Sequence, residues 1–366
     1  MSDARDRRWM QRAIELGRRA RYWSAPNPPV GCVLVRGDEE IGAGFTQPVG
    51  QAHAEVMALS DAGDATGVTA YVTLEPCSHH GQTGPCASAL IDAGVGRVVV
   101  ALEDPNPQVA GGGIAALRAA GIDVDVGEGA DQVEADLAGF LLRMRRGYGR
   151  ITLKIATSLD GRTAMPSGES QWITGEDART DVQRLRAESD LMVTGVGTVL
   201  ADDCRLTLRA DELPLDDEDK ERALAHPPAR MVLDSKGRTP ADARILAGGE
   251  TTVITTENIS LSEPSQVVVL GADARGRVDI GAWLQHLGEQ SFNEIMVEAG
   301  PTLSGALLKG GWVDRLIIYQ APKLLGDDAR AMAAMNFSVL TEAPEFEINE
   351  VTRIGEDLRI IAAPKG

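Results

Sequence analysis

The chain has 366 residues, with 36 Lys plus Arg against 54 Asp plus Glu and a formal charge of −18. That length predicts two domains, the 43% apolar content excludes wholesale disorder, and the acidic balance argues against a polynucleotide partner, whose phosphates it would repel. No apolar run approaches the ~20 residues of a membrane-spanning helix, so neither nucleic acid nor membrane is expected as a partner.

The first segment carries seven arginines by Arg21, but Asp3, Asp6 and Glu15 interrupt it and no apolar signal core follows. Trp9, Ala13, Leu16 and Ala20 recur at helical spacing, which predicts an amphipathic first helix and a cytoplasmic protein. Strands then alternate with helices. Apolar runs at 30–35, 70–74, 95–102 and 122–126 predict strands, and the segments 54–62, 86–93, 114–120 and 130–145 predict helices. The alternation is that of an α/β layered fold. A basic, glycine-containing stretch at 143–150 precedes a fresh strand at 151–157, and the chain is divided there into domains 1–146 and 150–366. Further strands are expected at 191–196, 229–234, 251–255, 266–270, 294–298 and 314–319, and the acidic stretch 211–221 reads as a solvated loop or lid.

His53-Ala54-Glu55 opens one helical segment, Cys77 follows Pro76 directly after a strand, and Cys86 follows Pro85. One imidazole and two thiolates are three zinc ligands that leave a fourth position for water. Zinc lowers the pKa of such a water from about 15.7 towards 7. Thiolates near helix N-termini have depressed pKa values, which helps both cysteines bind metal. Glu55 stands close enough to His53 to move a proton from that water to a departing amine without being a ligand. The order His-x-Glu and then Pro-Cys resembles that of zinc nucleobase deaminases, whose signature closes with Pro-Cys-x-x-Cys. Here a polar, glycine-rich insert, residues 78–85, separates the two cysteines and could close over a substrate. His79 and His80 within it read as loop residues rather than ligands. A structural zinc or plain core cysteines is the alternative reading of the whole set. Cys32 reads as core and Cys204 as incidental. Asn27, ahead of Pro28-Pro29, is free either to hydrogen-bond a heterocycle edge or to serve as a turn residue.

In the strand at 151–157, Ile151, Leu153 and Ile155 share one face. Lys154 lies on the other, pointing into a cleft or pairing with a carboxylate. Near the end of the chain a buried strand, the turn Ala299-Gly300-Pro301-Thr302 and a helix at 303–308 would present backbone N–H groups suited to a pyrophosphate. Gly195-Val196-Gly197-Thr198 is a second such turn. It lacks the third glycine of the dinucleotide fingerprint, so spacing alone leaves nucleotide binding open.

Several runs together resemble the bifunctional riboflavin-biosynthesis deaminase–reductase family. They are residues 73–81 (TLEPCSHHG) with Pro85-Cys86, Asp104-Pro105-Asn106-Pro107, Ser158-Leu159-Asp160-Gly161-Arg162, residues 168–174 (GESQWIT), Ala201-Asp202-Asp203 and Glu298-Ala299-Gly300-Pro301. The resemblance spans nearly the whole chain, and the tail after about Leu340 carries the least of it. It implies an N-terminal cytidine-deaminase-like three-layer domain that removes the 2-amino group of 2,5-diamino-6-(5-phosphoribosylamino)pyrimidin-4(3H)-one. It further implies a C-terminal dihydrofolate-reductase-like domain that uses NADPH to reduce the ribosyl group to ribityl.

The resemblance also implies one Zn2+ per chain held by His53, Cys77 and Cys86, with Glu55 carrying protons. By the same match Ala156, Trp172, Thr198, Asp202, Ser235, Gly300, Pro301, Thr302, Leu303, Ser304, Gly305 and Ala306 would line the NADPH site. Ser170, Arg186, Leu206, Arg209 and Glu298 would hold the substrate, a small phosphorylated pyrimidine. The planar forks of Arg186 and Arg209 suit its phosphate, Arg209 being otherwise a solvent-exposed loop arginine. Trp172 would stack on a ring or lie in the core, and Lys154 and Asp202 are candidates for protonation around a ring-opened imine. Pro29 and Cys204 depart from what the family leads one to expect. A homo-oligomer is expected.

Overall fold

The arginine-rich first segment forms α1 (Ala4–Ala20), and Trp9, Ala13, Leu16 and Ala20 are all buried, as their spacing predicts. The structure, a computed structural model, describes residues 4–78, 84–106, 109–259 and 265–365. It divides into two units, Met1–Gly147 and Tyr148–Gly366. No helix among the described residues is long and apolar enough to cross a membrane.

In the first unit α1 is followed by β1 (Gly31–Arg36), β2 (Glu39–Phe45), α2 (Ala54–Ala62), β3 (Thr69–Leu74), α3 (Cys86–Asp92), β4 (Arg97–Leu102), α4 (Gly112–Ala119), β5 (Asp123–Val126), α5 (Ala130–Asp136) and α6 (Ala138–Arg146). The strands make one sheet in the order β2-β1-β3-β4-β5. β1 is antiparallel to both neighbours, and β3, β4 and β5 are parallel. Cys32, Val33 and Leu34 are fully buried on both faces of β1, which is why that strand reads as an unbroken apolar run. Cys32 is core, as expected.

Two segments differ from the sequence reading. Strand β2 has no predicted counterpart, because its acidic start and its glycines hide the alternation. Those glycines have a packing role. A Cβ on Gly42 would stand 2.3 Å from the Ala58 carbonyl oxygen, and one on Gly44 would stand 2.4 Å from that of Ala54. Glycine there lets α2, which carries Glu55, lie directly on the sheet. The helix expected at 130–145 is interrupted at Leu137 (φ −98°), where Gly139 close by weakens continuity.

The second unit contains β6 (Arg150–Ser158), β7 (Arg162–Ala164), α7 (Glu176–Ala187), β8 (Leu191–Gly195), α8 (Val196–Asp202), α9 (Asp217–Ala225), β9 (Ala229–Leu233), β10 (Thr251–Thr255), β11 (Gln266–Val269), α10 (Ile280–Gln290), β12 (Glu294–Val297), α11 (Pro301–Lys309), β13 (Arg315–Ala321), β14 (Arg330–Ala331), β15 (Phe346–Ile354) and β16 (Asp357–Pro364). Nine strands form one sheet in the order β11-β10-β9-β8-β12-β6-β13-β16-β15. It is parallel from β11 to β13, and the hairpin β15–β16 adds an antiparallel edge. The parallel strands therefore deliver their carboxyl ends to one edge, the place where open α/β sheets bind ligands.

The acidic stretch read as a loop or lid is largely ordered: a 3-10 turn at Ala210–Glu212 precedes α9. The Asp216 carboxylate accepts the Asp219 N–H at 2.8 Å, and acidic residues in the first turn complement the helix dipole. Ala223 supplies the buried contact on that helix. Asp216→Ala is expected to lower the stability of this unit by about 1 kcal/mol, read as a lower urea midpoint at unchanged slope. The hairpin β15–β16 gave no sequence signal either, since β15 is an exposed edge strand with a register shift between Ile348 and Glu350.

Candidate active sites

His53 is the N-cap of α2, in an extended conformation (φ −78°, ψ 169°), and its side chain makes no capping hydrogen bond to the helix. Glu55 lies in the first turn of α2 and is buried. Cys77 follows β3, and Cys86 opens α3 behind Pro85. The Nδ1 of His53 is 3.7 Å from the Cys77 Sγ and 3.3 Å from the Cys86 Sγ. The ligating atoms of all three residues lie within 4.8 Å of one another. A tetrahedral zinc with Zn–S of about 2.3 Å and Zn–N of about 2.05 Å requires S···N edges of about 3.5 Å, so the donor set fits that ion. His79 and His80 lie outside the described residues.

The two thiols differ, and the lowering expected for both cysteines is found at Cys77 and not at Cys86. The Cys86 N–H donates to the Cys77 Sγ at 3.3 Å. The Cys77 thiol is held well below its usual range by hydrogen bonding with Cys86 and His53, whereas the Cys86 thiol is pushed up by its neighbour Cys77 and by burial. The hydrogen bond to Cys77 raises His53. Burial raises the Glu55 carboxyl to about 7, with the nearby Cys77 charge adding to the effect. A carboxyl poised near neutrality can both accept and release a proton. Asn27 has its backbone committed to a turn: its N–H donates to the Ser24 carbonyl at 2.8 Å, and its own carbonyl accepts the Ser24 hydroxyl at 3.1 Å.

In the second unit four of the expected residues lie at or just beyond the carboxyl ends of parallel strands. Ala156 lies in the latter half of β6, Thr198 in α8 behind β8, Ser235 behind β9, and Glu298 directly behind β12. The Thr198 Oγ1 accepts the Gly300 N–H at 3.1 Å, joining the two glycine turns. Glu298 is a part-buried hub. It accepts the Arg186 Nε at 2.6 Å and Nη2 at 3.1 Å, and the Lys154 Nζ at 3.3 Å. Of the two readings of Lys154, the carboxylate pair is the one found. Burial alone would raise the Glu298 carboxyl, but Arg186 and Lys154 hold it down at about 2.

Helix α7 also fixes the loop that follows α8. Arg186 donates to the Thr207 carbonyl at 3.3 Å, and the Gln183 Oε1 accepts the Arg209 N–H at 3.0 Å. The Arg209 guanidinium pairs with Glu212 at 2.7 Å and is lowered by burial and by the charges of Arg186 and Arg179. Arg186 and Arg179 are thus close enough for Arg209 to feel their charge, while Arg186 is paired with Glu298 and Arg209 with Glu212. The Leu206 side chain packs into the core, so its backbone, at φ 53°, is what it could offer a ligand. Ser170 donates to the Asp202 Oδ1 at 3.2 Å.

Trp172 is not core: it is 57% exposed, with the Arg179 guanidinium 4.6 Å from its ring centroid. Residues 300–306 do not all face one way. Ser304 is buried and donates to the Ala299 carbonyl at 3.1 Å, and a Cβ on Gly305 would stand 2.3 Å from the Ala334 carbonyl oxygen. Those two residues seat α11, and Thr302 faces outward. The Ser235 Oγ accepts the Val278 N–H at 2.9 Å. Cys204, read as incidental, sits near Glu298 and Asp202, and burial with those two carboxylates pushes its thiol up to about 12.

Sequence reasoning missed Glu75, Gln183, Thr194 and Lys323. The Thr194 Oγ1 donates to the Glu298 carbonyl at 2.7 Å, and the Lys323 Nζ donates to that of Trp172 at 2.9 Å. These bonds join residues 104 and 151 positions apart, and a backbone carbonyl leaves no residue-type signature. Glu75 alone carried a signal, its place immediately before Pro76-Cys77.

Comparison with known proteins agrees with both halves of this geometry. The family model described as the RibD C-terminal domain matches residues 150–360, and the cytidine and deoxycytidylate deaminase zinc-binding region matches residues 3–102. The riboflavin biosynthesis protein RibD of Escherichia coli K12 is 49% identical over 363 residues, covering 96% of this chain and 98% of its own. The chain belongs to the RibD family of riboflavin-biosynthesis proteins. A RibD structure from Acinetobacter baumannii aligns with a TM-score of 0.91 at 44% identity, covering 99% of each chain. A structure from Thermotoga maritima, titled a diaminohydroxyphosphoribosylaminopyrimidine deaminase/5-amino-6-(5-phosphoribosylamino)uracil reductase, aligns with a TM-score of 0.87 at 29% identity, again over 99% of each chain. As in that family, a cytidine-deaminase-like domain precedes a dihydrofolate-reductase-like one, and the protein is a deaminase and a reductase of riboflavin biosynthesis.

Proposed function

We propose that the first unit deaminates 2,5-diamino-6-(5-phosphoribosylamino)pyrimidin-4(3H)-one and that the second reduces the resulting 5-amino-6-(5-phosphoribosylamino)uracil with NADPH to the ribitylamino product. The observation that carries the reading is the His53–Cys77–Cys86 donor triangle with Glu55 buried in the first turn of α2. Bound there, zinc supplies a Lewis acid that makes water nucleophilic at neutral pH. Glu55 takes the proton of the attacking water and returns it to the amino group that leaves as ammonia, so one C–N bond is exchanged for one C–O bond.

In the second unit Thr198, Gly300, Pro301, Thr302, Leu303 and Ala306 would hold NADPH, with Ser304 and Gly305 seating α11 behind them, and the cofactor would supply the hydride. Arg186 and Arg209 hold the phosphate end, and Glu298 keeps Arg186 and Lys154 at fixed positions. Ser170, Asp202, Trp172, Leu206, Ser235 and Ala156 border the same sheet edge. The reading also places the protein in the cytoplasm, where NADPH and reduced thiols are maintained, and as a homo-oligomer.

The test follows ammonia release and NADPH loss in one sample of zinc-loaded protein given the diaminopyrimidinone. Ammonia is expected first, with matching NADPH oxidation behind it. Stripping zinc with a chelator is expected to stop ammonia release while reduction of supplied aminouracil continues, and zinc is expected to restore the first step. Reduction that stops together with deamination would overturn the division of labour.

A further inference from the structure

Glu75 is the first residue after β3 and is 4% exposed. Its Oε2 accepts the N–H groups of Asp104 at 3.2 Å and Gly111 at 3.0 Å. Its Oε1 accepts those of Gly113 at 2.8 Å and Ile114 at 3.1 Å. All four donors are main-chain amides, drawn from the segment that leads out of β4 and from the first turn of α4. Helix α4 has Gly111 at its N-cap and no side-chain cap of its own. A carboxylate from another strand thus takes up amides that the helix start leaves over.

The glycines facing this carboxylate explain how the segments come so close. Gly111 adopts φ 77°, a left-handed conformation that glycine takes at little cost. A Cβ on Gly113 would stand 1.9 Å from the Pro76 carbonyl oxygen, and one on Gly112 would stand 2.7 Å from the Ser78 Oγ. Gly112 and Gly113 therefore let α4 abut the Pro76 carbonyl and the Ser78 side chain, one on each side of Cys77. Cys77 in turn meets α3, since its carbonyl accepts the Ala87 N–H at 3.1 Å. The turn bearing the Cys77 sulfur is pinned between two helix starts, and Glu75 makes most of the bonds on one side.

We propose that Glu75 is a positioning residue of the zinc centre: by locking the Glu75-Pro76-Cys77 turn to the start of α4, it sets where the Cys77 sulfur stands relative to His53 and Cys86. The inference rests on the zinc reading given above. Glu75 is not a ligand, because both its oxygens are committed to amides. In Glu75→Gln the carboxamide NH2 would confront one pair of amide donors, two bonds would be lost, and the turn would relax.

The test uses the full chain. Zinc affinity is measured by competition with a chromophoric chelator, and the cobalt(II)-loaded protein reports the ligand field through its visible and thiolate charge-transfer bands. E75Q is expected to bind zinc about 10–100-fold more weakly, with shifted cobalt bands, while circular dichroism and reduction of supplied aminouracil stay unchanged. A folded E75Q with unaltered affinity and an unaltered cobalt spectrum overturns the proposal and reduces Glu75 to a cap for α4. Absence of zinc or cobalt binding in the unsubstituted protein would instead overturn the zinc reading, and this inference with it. Should E75Q fail to fold, Glu75→Asp keeps the charge but is one methylene too short to serve both amide pairs. It is expected to weaken zinc in the same direction by a smaller factor, and unaltered binding in E75D overturns the proposal.

Discussion

Replacing Glu55 by Gln is expected to lower deamination by roughly 10²–10⁴-fold, the range over which a positioned acid–base group contributes. Glutamine preserves the size of the side chain in the first turn of α2 but cannot carry a proton. Glu55 is not among the three donors that converge on the metal position, so the variant is expected to retain zinc at one per chain, read by metal analysis. Reduction of supplied 5-amino-6-(5-phosphoribosylamino)uracil should proceed at the original rate. Zinc lost in proportion to activity would make Glu55 a ligand. Deamination that persists would make the zinc structural.

The second large effect belongs to Glu298. Glu298→Gln leaves Arg186 and Lys154, whose side chains are only 13% and 14% exposed, without the carboxylate that neutralises them, and the cost should approach the about 3–5 kcal/mol of breaking a fully buried ion pair. The transition of the second unit in a thermal or urea scan should fall accordingly, and reduction should be lost. Ammonia release from the diaminopyrimidinone should survive at temperatures where both units are folded. Replacing Lys154, Arg186 and Glu298 together by apolar residues of similar volume should restore much of the stability without the activity. If the triple variant is as unstable as E298Q, packing rather than unpaired charge is responsible.

The same group predicts a pH dependence. Its carboxyl is lowered in the folded state from an ordinary 4.5 to about 2, so its contribution is fully present above pH 4.5 and is lost as pH falls towards 2. That difference corresponds to on the order of 3 kcal/mol. The acid limb of the stability curve should flatten in E298Q, and an unchanged limb would assign acid unfolding to other carboxylates.

Much of the deaminase centre was readable because each part adjoins a local signal. His53 and Cys86 stand at helix starts, and Cys77 follows a proline at a strand end. Their types and order alone suggest a metal with one open position. The strand–helix alternation was legible for the same reason: buried parallel strands are continuous apolar runs, and the helices between them have a helical period. Strand β2 and the β15–β16 hairpin were not, since one is half glycine and acid and the other lies exposed at a sheet edge. The stretch 211–221 misled because acidic residues, usually a sign of solvent, here cap and charge the start of α9.

The residue sequence by itself therefore determined the two-part α/β plan, which depends on patterns close along the chain, and the types of the zinc ligands, although their convergence across 24 and 33 positions is the work of the fold. Tertiary structure decided the rest. Whether Lys154 entered a cleft or paired depended on Glu298, 144 positions away, and Arg186 reaches the same carboxylate across 112. Glu75 finds its four amides 29 to 39 positions downstream. Main-chain N–H groups are the same in nearly every residue, so only the folded path of the chain, with glycines where backbones must nearly touch, could bring them to that carboxylate.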